Sequence, residues 1–297
     1  MRFIKPQPVD SLDNLRERVT RLLRGSPKRS NAQTQLSLDL PLTFRPEQSI
    51  CSPSRNIAEF LDFMTDAVPR GDIYLFGGVL RDLSLLGRRG FNSDIDLVVD
   101  GDWANCVGYL ESLGAHKNKF GGYRLQVDDW PVDIWNARET WAIRQGFVAY
   151  KGIASLTETT VMNWDAILLN WRTQIFIHRK NYLEEIKGRV LDIVLIQNPN
   201  PLGMAVRVFR HLCAKDAKKI TRKTAEYLAD CAKTFSYLEI KNSEMRSYED
   251  SIIEHAVYRL FEHMNGYEQF DIESRFSIAS DVLERELELA QAVVVGN

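Results

Sequence analysis

Apolar residues recur every three or four positions in two stretches near the start of the chain, and this spacing predicts amphipathic helices. The first stretch, residues 11–24, has an arginine-rich opposite face and is followed by a polar segment containing glycine, proline, serine and asparagine. The second stretch, residues 57–68, leads into the first strand signal. Residues 1–50 are therefore predicted to be a basic N-terminal arm and linker, either mobile or docked on RNA or on the domain behind it.

Short apolar runs typical of strands alternate with helical spacing from residue 72 to about residue 195. The pattern predicts strands at residues 72–76, 94–100, 123–127 and 132–135, and helices at residues 79–86 and 102–113. This mixture predicts an α+β domain over residues 51–196. Beyond residue 197 the spacing is helical with almost no strand signal, so residues 197–297 are predicted to form an all-helical domain; their last part includes an acidic stretch at residues 271–288.

Composition narrows the possible partners. A formal net charge of −2 excludes a strongly basic field over the whole protein, so contact with RNA requires a local patch. The four cysteines form no CxxC pair, and neither a zinc site nor a disulfide framework is indicated. The sequence has no apolar run long enough to cross a bilayer and no signal-peptide core. A cytoplasmic location without membrane contact is therefore predicted.

Three aspartates carry the candidate chemistry. Residues i and i+2 of a strand share a face, so Asp94 and Asp96 project together, and a cation is needed to offset their repulsion. Oxygen ligands of this kind suit magnesium; the alternative is a solvent-facing strand edge with incidental acids. A glycine pair, Gly77 and Gly78, ends the preceding strand and opens a helix, where backbone amides can approach a phosphate. Asp133, flanked by apolar residues, is predicted to lie on the polar face of a neighbouring strand.

Two other acids near Asp133 are predicted to have no role in the site. Asp128 and Asp129 fall in the tight turn between the strands at residues 123–127 and 132–135, where carboxylates are normally solvated.

The run from Gly77 to Arg88, followed by residues 94–97, resembles the head domain of CCA-adding enzymes and bacterial poly(A) polymerases. Residues 118–124 and 132–134 with Arg138 resemble the strand pair that ends in the third carboxylate of this family. Residues 162–169 are similar to the helix that follows it. The resemblance implies a polymerase-β-like nucleotidyltransferase head with a mixed sheet, followed by an all-helical domain.

The resemblance also implies roles for individual residues. Asp94, Asp96 and Asp133 would bind two magnesium ions, and Asp133 would help to activate the attacking hydroxyl. The alternative for Arg81 is a salt bridge that fixes its helix. Two arginines on one helical face belong to a basic run between residues 207 and 223, whose alternative is a solvated helix face. The implied nucleotide-binding residues are Gly77, Gly78, Arg81, Asp82, Arg138, Asp165, Arg207 and Arg210.

The predicted function is template-independent transfer of a nucleoside monophosphate from a nucleoside triphosphate to an RNA 3′ end, with tRNA as the leading acceptor and pyrophosphate released. Residues 198–210 contain no acidic partner for their arginines, so a single nucleotide type or a looser choice of base is predicted. Two alternatives stay open. One is a toxin-like or regulatory enzyme that modifies tRNA or a protein hydroxyl, and the other is a catalytically silent RNA-binding or partner-binding homologue. The sequence does not identify a protein partner.

Overall fold

The structure is a computed structural model, and it describes residues 6–24, 57–91, 93–215 and 217–253. The predicted linker and the acidic stretch at residues 271–288 lie outside the described residues. The described helices are α1 (Leu12–Leu23), α2 (Ile57–Asp66), α3 (Gly78–Leu85), α4 (Trp103–Ser112), α5 (Trp141–Arg144), α6 (Tyr182–Gly188), α7 (Pro201–Ala214), α8 (Arg222–Thr234) and α9 (Tyr237–Tyr248). The described strands are β1 (Gly71–Phe76), β2 (Ile95–Gly101), β3 (His116–Lys117), β4 (Tyr123–Val127), β5 (Trp130–Asn136), β6 (Ile167–Asn170), β7 (Phe176–His178), β8 (Val190–Leu191) and β9 (Lys219–Ile220).

A seven-stranded mixed sheet forms the centre of the fold, with the strand order β3-β4-β5-β2-β1-β6-β7. Neighbouring strands are antiparallel except β2 and β5, which run parallel. The β4–β5 hairpin turns through Asp128, whose φ of 53° is the left-handed conformation that aspartate tolerates in tight turns. The predicted α+β class and mixed sheet are confirmed, because helices occur between the strands of this sheet along the chain.

The two faces of the sheet have different coverings. One face carries Ile73, Leu75, Leu97 and Ile134, which are fully buried in a core shared with the flanking helices. The alternate residues of the same strands form the opposite face, and its smaller apolar cluster includes Val98. Because successive strand residues point to opposite faces, every polar residue in register with this second cluster faces away from the main core.

Helix α1 packs against the sheet domain. Leu15, Val19 and Leu23 are buried in the main core, and the Arg18 guanidinium donates a 2.8 Å hydrogen bond to the backbone oxygen of Leu83 at the end of α3. The alternative in which the arm docks on the domain behind it therefore holds for residues 12–23.

The helices after residue 200 contribute to the same core as the sheet. Phe209 of α7, Leu228 of α8 and Ile240 of α9 are all fully buried in it. A two-stranded parallel pair, β8–β9, also links the two parts of the chain. The division into a head domain and a separate helical domain near residue 197 stays a prediction. Within the described ranges, no helix has the length and apolar character needed to cross a membrane.

The expected helix at residues 162–169 is wrong. The segment forms a single 3-10 turn, Asn163–Asp165, and then strand β6 between β1 and β7. All four residues of β6 are buried, since the strand lies inside the sheet with both faces covered. A continuous apolar run of this length fits either a buried helix or an interior strand, so its periodicity does not distinguish them.

Candidate active site

One row of the sheet carries the candidate acids on the face opposite the main core. Asp96 of β2 and Asp133 of β5 lie directly opposite each other in the parallel pair. Phe76 of β1 continues the row on one side, and Arg124 of β4 continues it on the other. Asp94 immediately precedes β2, and its carboxylate accepts a 2.6 Å hydrogen bond from the Arg124 guanidinium. The fold thus brings the three predicted aspartates together, although they come from separate stretches of sequence. We call Asp94, Asp96 and Asp133 the acid row.

Burial and repulsion between carboxylates both raise the proton affinities of Asp96 and Asp133. Burial, and after it the negative charges of Asp133 and Asp94, together raise the pKa of Asp96 to about 7. Burial also raises the pKa of Asp133, while the Arg124 guanidinium acts against that rise. Carboxylates held together at this cost are suited to a divalent cation, which would favour their charged forms.

The acids do not converge on one point in this conformation. Among the described residues, no group of three acidic, histidine or cysteine side chains forms a complete metal-ligating cluster. Arg124 partly explains why the three carboxylates do not form a complete metal-ligating cluster. One terminal nitrogen of its guanidinium pairs with Asp94, and the other lies 3.9 Å from Asp133. Carboxylate oxygens are suitable ligands for magnesium. To bind the ion, Asp94 would have to give up its hydrogen bond with the Arg124 guanidinium. The signal for Arg124 in the sequence is its position in a strand that pairs with the strand carrying Asp133.

We expect ionisation of Asp96 to lower the stability of the metal-free protein as pH rises from about 4 to about 7, because Asp96 binds its proton more tightly when folded. Its stabilising contribution is complete below the unfolded pKa of 3.8 and is lost as pH rises through the folded value near 7. Buried His211 contributes the opposite slope below its ordinary value of 6.5, since burial lowers its pKa to about 3.

The readout is therefore the difference between wild type and Asp96→Asn in urea unfolding, measured without divalent ions across that pH range. Identical slopes for the two proteins would contradict the placement of Asp96.

The glycine pair lies beside the acid row, because Phe76, the partner of Asp96, directly precedes it. Gly77 caps α3 with φ +60° and ψ −110°, and its backbone N–H donates to the oxygen of Ile167. A Cβ on Gly78 would lie 3.2 Å from the Ser93 side chain, so the backbone there is closely packed. The turn thus places the start of α3 next to the acid row, and the amide groups at a helix N-terminus favour an anion.

Replacing Gly77 by alanine is expected to lower the free energy of unfolding by about 1–3 kcal/mol, since its backbone conformation is strained for any residue with a Cβ. Chemical denaturation measures the loss. Gly108→Ala is the matched control, because Gly108 lies inside α4 at ordinary helical φ with open space around its Cβ position. The control should gain roughly 0.5–1 kcal/mol, and a loss of equal size in both variants would argue against backbone strain at Gly77.

A buried polar network lies next to the glycine turn. The Arg81 guanidinium donates to Asp82 at 2.8 Å and to Asp165 at 2.6 Å. Asp82 also accepts from the Ser93 hydroxyl at 2.6 Å and from the Lys215 ammonium at 2.8 Å. Burial lowers the pKa of Arg81, but the charges of Asp165 and Asp82 outweigh it and the net pKa is raised. The salt-bridge alternative for Arg81 is therefore present in the structure.

Asp165 extends this network to the acid row. Its charge adds to the rise in the pKa of Asp96, and the Cβ position of Gly77 is 3.7 Å from its backbone oxygen. Ser93 and Lys215 join the same network and were not among the predicted site residues. Lys215 follows α7, so only the tertiary fold brings it to Asp82.

The three other predicted arginines lie in different places. Arg207 is exposed on α7, and its positive charge acts to lower the pKa of Asp96. Arg210 is turned away: it donates to Glu244 at 2.7 Å and to Asp250 at 2.6 Å. Arg138 lies beyond the far end of β5, with its guanidinium 4.6 Å from the ring centre of Tyr150.

The basic run at residues 207–223 does not form one surface. His211 is buried, Lys215 pairs with buried Asp82, and the Lys223 ammonium donates to the backbone oxygen of Val194. Helix α7 ends at residue 214 and strand β9 interrupts the run before α8 begins, so its cations point in different directions.

Comparison with solved structures identifies the architecture. The chain superposes on a CCA-adding enzyme in complex with CTP with a TM-score of 0.52 and 17% identity, over 71% of this chain and 51% of that one. The chain has the fold of the CCA-adding enzymes. A CCA-adding enzyme in apo form gives a TM-score of 0.52 and 16% identity, over 71% of this chain and 50% of that one.

The same CCA-adding fold is found in the Thermotoga maritima CCA-adding enzyme complexed with tRNA, with a TM-score of 0.52 and 17% identity, over 70% of this chain and 50% of that one. The present chain thus spans about half the length of these enzymes. No protein-family model matches the sequence, and no curated protein matches it. The expected resemblance is confirmed at the level of the fold.

Proposed function

We propose that this chain is a metal-dependent nucleotidyltransferase that moves a nucleoside monophosphate from a nucleoside triphosphate to the 3′ end of an RNA. The observation that carries the proposal is the register of Asp96 and Asp133 on parallel strands, with Asp94 beside them. The CCA-adding fold supports the same chemistry, since solved enzymes with that fold are described as complexes with CTP and with tRNA.

The residues divide into three groups by what they contact. Asp94, Asp96 and Asp133 would hold two magnesium ions, which supply positive charge for the α-phosphate and the leaving oxygen. The amides that follow Gly77 at the start of α3 would bind the triphosphate. Exposed Arg207, whose charge acts on Asp96, would contact the nucleotide.

The proposed reaction is an in-line displacement. The RNA 3′-hydroxyl oxygen forms a bond to the α-phosphorus, and the bond from that phosphorus to pyrophosphate breaks. Asp133, a partly buried carboxylate in the acid row, accepts the hydroxyl proton. Asp165 and Arg81 keep the glycine turn in position through their ion pair. Arg210 and Arg138, which contact other parts of the chain, have no part in this proposal.

The acceptor we propose is tRNA, in a cytoplasmic setting. The test incubates wild type and Asp94→Asn/Asp96→Asn with each labelled triphosphate, magnesium, total RNA and cell lysate. Label in RNA from wild type alone supports the proposal. Label in protein assigns the chain to a protein-modifying enzyme instead, and label from neither protein assigns it to a silent homologue.

A further inference from the structure

An exposed group of aromatic and basic side chains lies in two loops that contact Trp135, two residues beyond Asp133 on β5. Phe120 is 44% exposed and Phe147 is 48% exposed. The rings of Trp141 and Phe147 are 5.4 Å apart with a 35° tilt, and the Lys119 ammonium lies 5.0 Å from the ring centre of Phe120. We call Lys119, Phe120, Trp141, Arg144 and Phe147 the aromatic platform.

Hydrogen bonds hold the two loops of the platform together. The Arg144 guanidinium donates to the backbone oxygen of Phe120 at 3.3 Å. The Asn118 side chain accepts from the backbone N–H of Phe120 at 2.9 Å and from that of Gly122 at 3.1 Å. Phe120 is therefore presented to solvent by a fixed turn that is tied to the segment carrying Trp141 and Phe147.

The platform is also attached to the strand that bears Asp133. Trp135 follows Asp133 by two residues, so it shares the same face and lies roughly 7 Å along the strand. The Trp135 indole donates a 3.0 Å hydrogen bond to the hydroxyl of Thr140, which caps α5 and precedes Trp141. A Cβ on Gly122 would lie 3.0 Å from the Cβ of Trp135, so the Phe120 turn packs on the same residue.

The chemistry of the platform suits one kind of partner. Flat rings exposed in series stack on unpaired bases of any sequence, and lysine or arginine between them contacts the backbone phosphates. The positive charge comes from Lys119, Arg144 and the neighbouring exposed Lys117. Of these, Arg144 forms an ion pair with Glu139.

We propose that the aromatic platform binds the single-stranded end of an RNA and leads it to the acid row. The inference rests on the proposed function for the identity of the reaction, and it adds where the acceptor strand binds. Exposed Phe120 and Phe147 would stack on bases, while Arg144 and Lys119 would contact phosphates. An unpaired strand is required, because bases inside a duplex do not expose their faces.

The test measures RNA binding alone. A fluorescein-labelled single-stranded RNA of about 12 nucleotides is titrated with the full chain in EDTA, without any triphosphate, and anisotropy is recorded. Phe120→Ala/Phe147→Ala is expected to weaken binding by about tenfold or more. Tyr109→Ala is the matched control, because Tyr109 is a 38% exposed ring on α4, packed against Phe63 across the helix layer; its affinity should equal that of wild type.

Salt dependence provides a second readout. Arg144→Gln should lower the slope of log affinity against log salt by about one. Equal single-strand affinity in wild type and Phe120→Ala/Phe147→Ala would overturn the proposal and leave this surface to a protein partner. Wild-type preference for a duplex of the same sequence would overturn it as well.

The same titration separates this inference from the proposed function. Asp94→Asn/Asp96→Asn should bind the single strand at least as tightly as wild type, because it only removes negative charge. If RNA binding depends on Phe120 and Phe147 and yet no triphosphate is ever transferred, the platform stands and the proposed reaction fails. If transfer occurs and the two phenylalanines do not affect RNA affinity, the reaction stands and the platform fails.

Discussion

Replacing Asp133 by asparagine is expected to lower nucleotide transfer by at least about 100-fold, because metal-ion catalysis contributes several kcal/mol of charge stabilisation and each 1.36 kcal/mol is tenfold in rate. The amide keeps the shape of the side chain but loses its charge and its capacity to accept the hydroxyl proton. The substitution should not destabilise the fold, because it removes the repulsion between the Asp133 and Asp96 carboxylates. That repulsion is one cause of the raised pKa of Asp96. Transfer measured at saturating triphosphate, together with urea unfolding, tests both parts.

The same hairpin provides the control. Asp129 lies in the turn between β4 and β5, is exposed, and stands outside the acid row. Asp129→Asn should therefore keep full activity and stability. Full activity in Asp133→Asn would show that the third carboxylate has no catalytic part, and an equal loss in both variants would show that the effect comes from the hairpin and not from that carboxylate.

Replacing Asp82 by alanine is expected to lower the free energy of unfolding by about 3–5 kcal/mol, because it leaves buried cations without their shared partner. Asp82 is 0% exposed and accepts from Arg81 and Lys215. Burial raises the pKa of Asp82, but those two charges outweigh it and hold the net pKa below its ordinary value. Urea denaturation at neutral pH measures the loss.

An exposed aspartate in an ion pair is the control for Asp82. Asp230 pairs with Lys233 within α8, and their side chains are 73% and 49% exposed. Asp230→Ala should change the free energy of unfolding by less than about 1 kcal/mol, since solvated pairs contribute little. A comparably small effect of Asp82→Ala would mean that the buried network does not stabilise the turn beneath the acid row.

The sequence predicts those parts of the site that depend on local alternation. Asp94 and Asp96 are two residues apart, and strand geometry alone puts them on one face. The β4–β5 hairpin is also local: residues 123–127 match β4 as predicted, and the turn through Asp128 follows from the acid pair and the short apolar runs around it. Asp133 reaches Asp96 because the hairpin places β5 against β2, and that juxtaposition was predicted from the resemblance and from the polarity of a single residue.

Contacts between residues that are far apart in the sequence cannot be predicted from local sequence patterns. Arg124 joins the acids only through the β4–β5 register, and Lys215 reaches Asp82 from 133 residues away. Arg207 and Arg210 share a helical face by spacing, yet Glu244 and Asp250 from the region of α9 draw Arg210 away. The direction of a charged side chain depends on which acid the fold brings beside it, and spacing within one helix carries no information about that.

The most direct measurement of the central claim is the number of divalent ions bound at the acid row. Manganese, which substitutes for magnesium at oxygen ligands and has an EPR signal, is titrated into wild type and Asp94→Asn/Asp96→Asn with a non-hydrolysable triphosphate present. We predict two bound ions per chain in the wild type, with binding lost in the double variant. Equal binding by the two proteins, or no binding by wild type, would contradict the account.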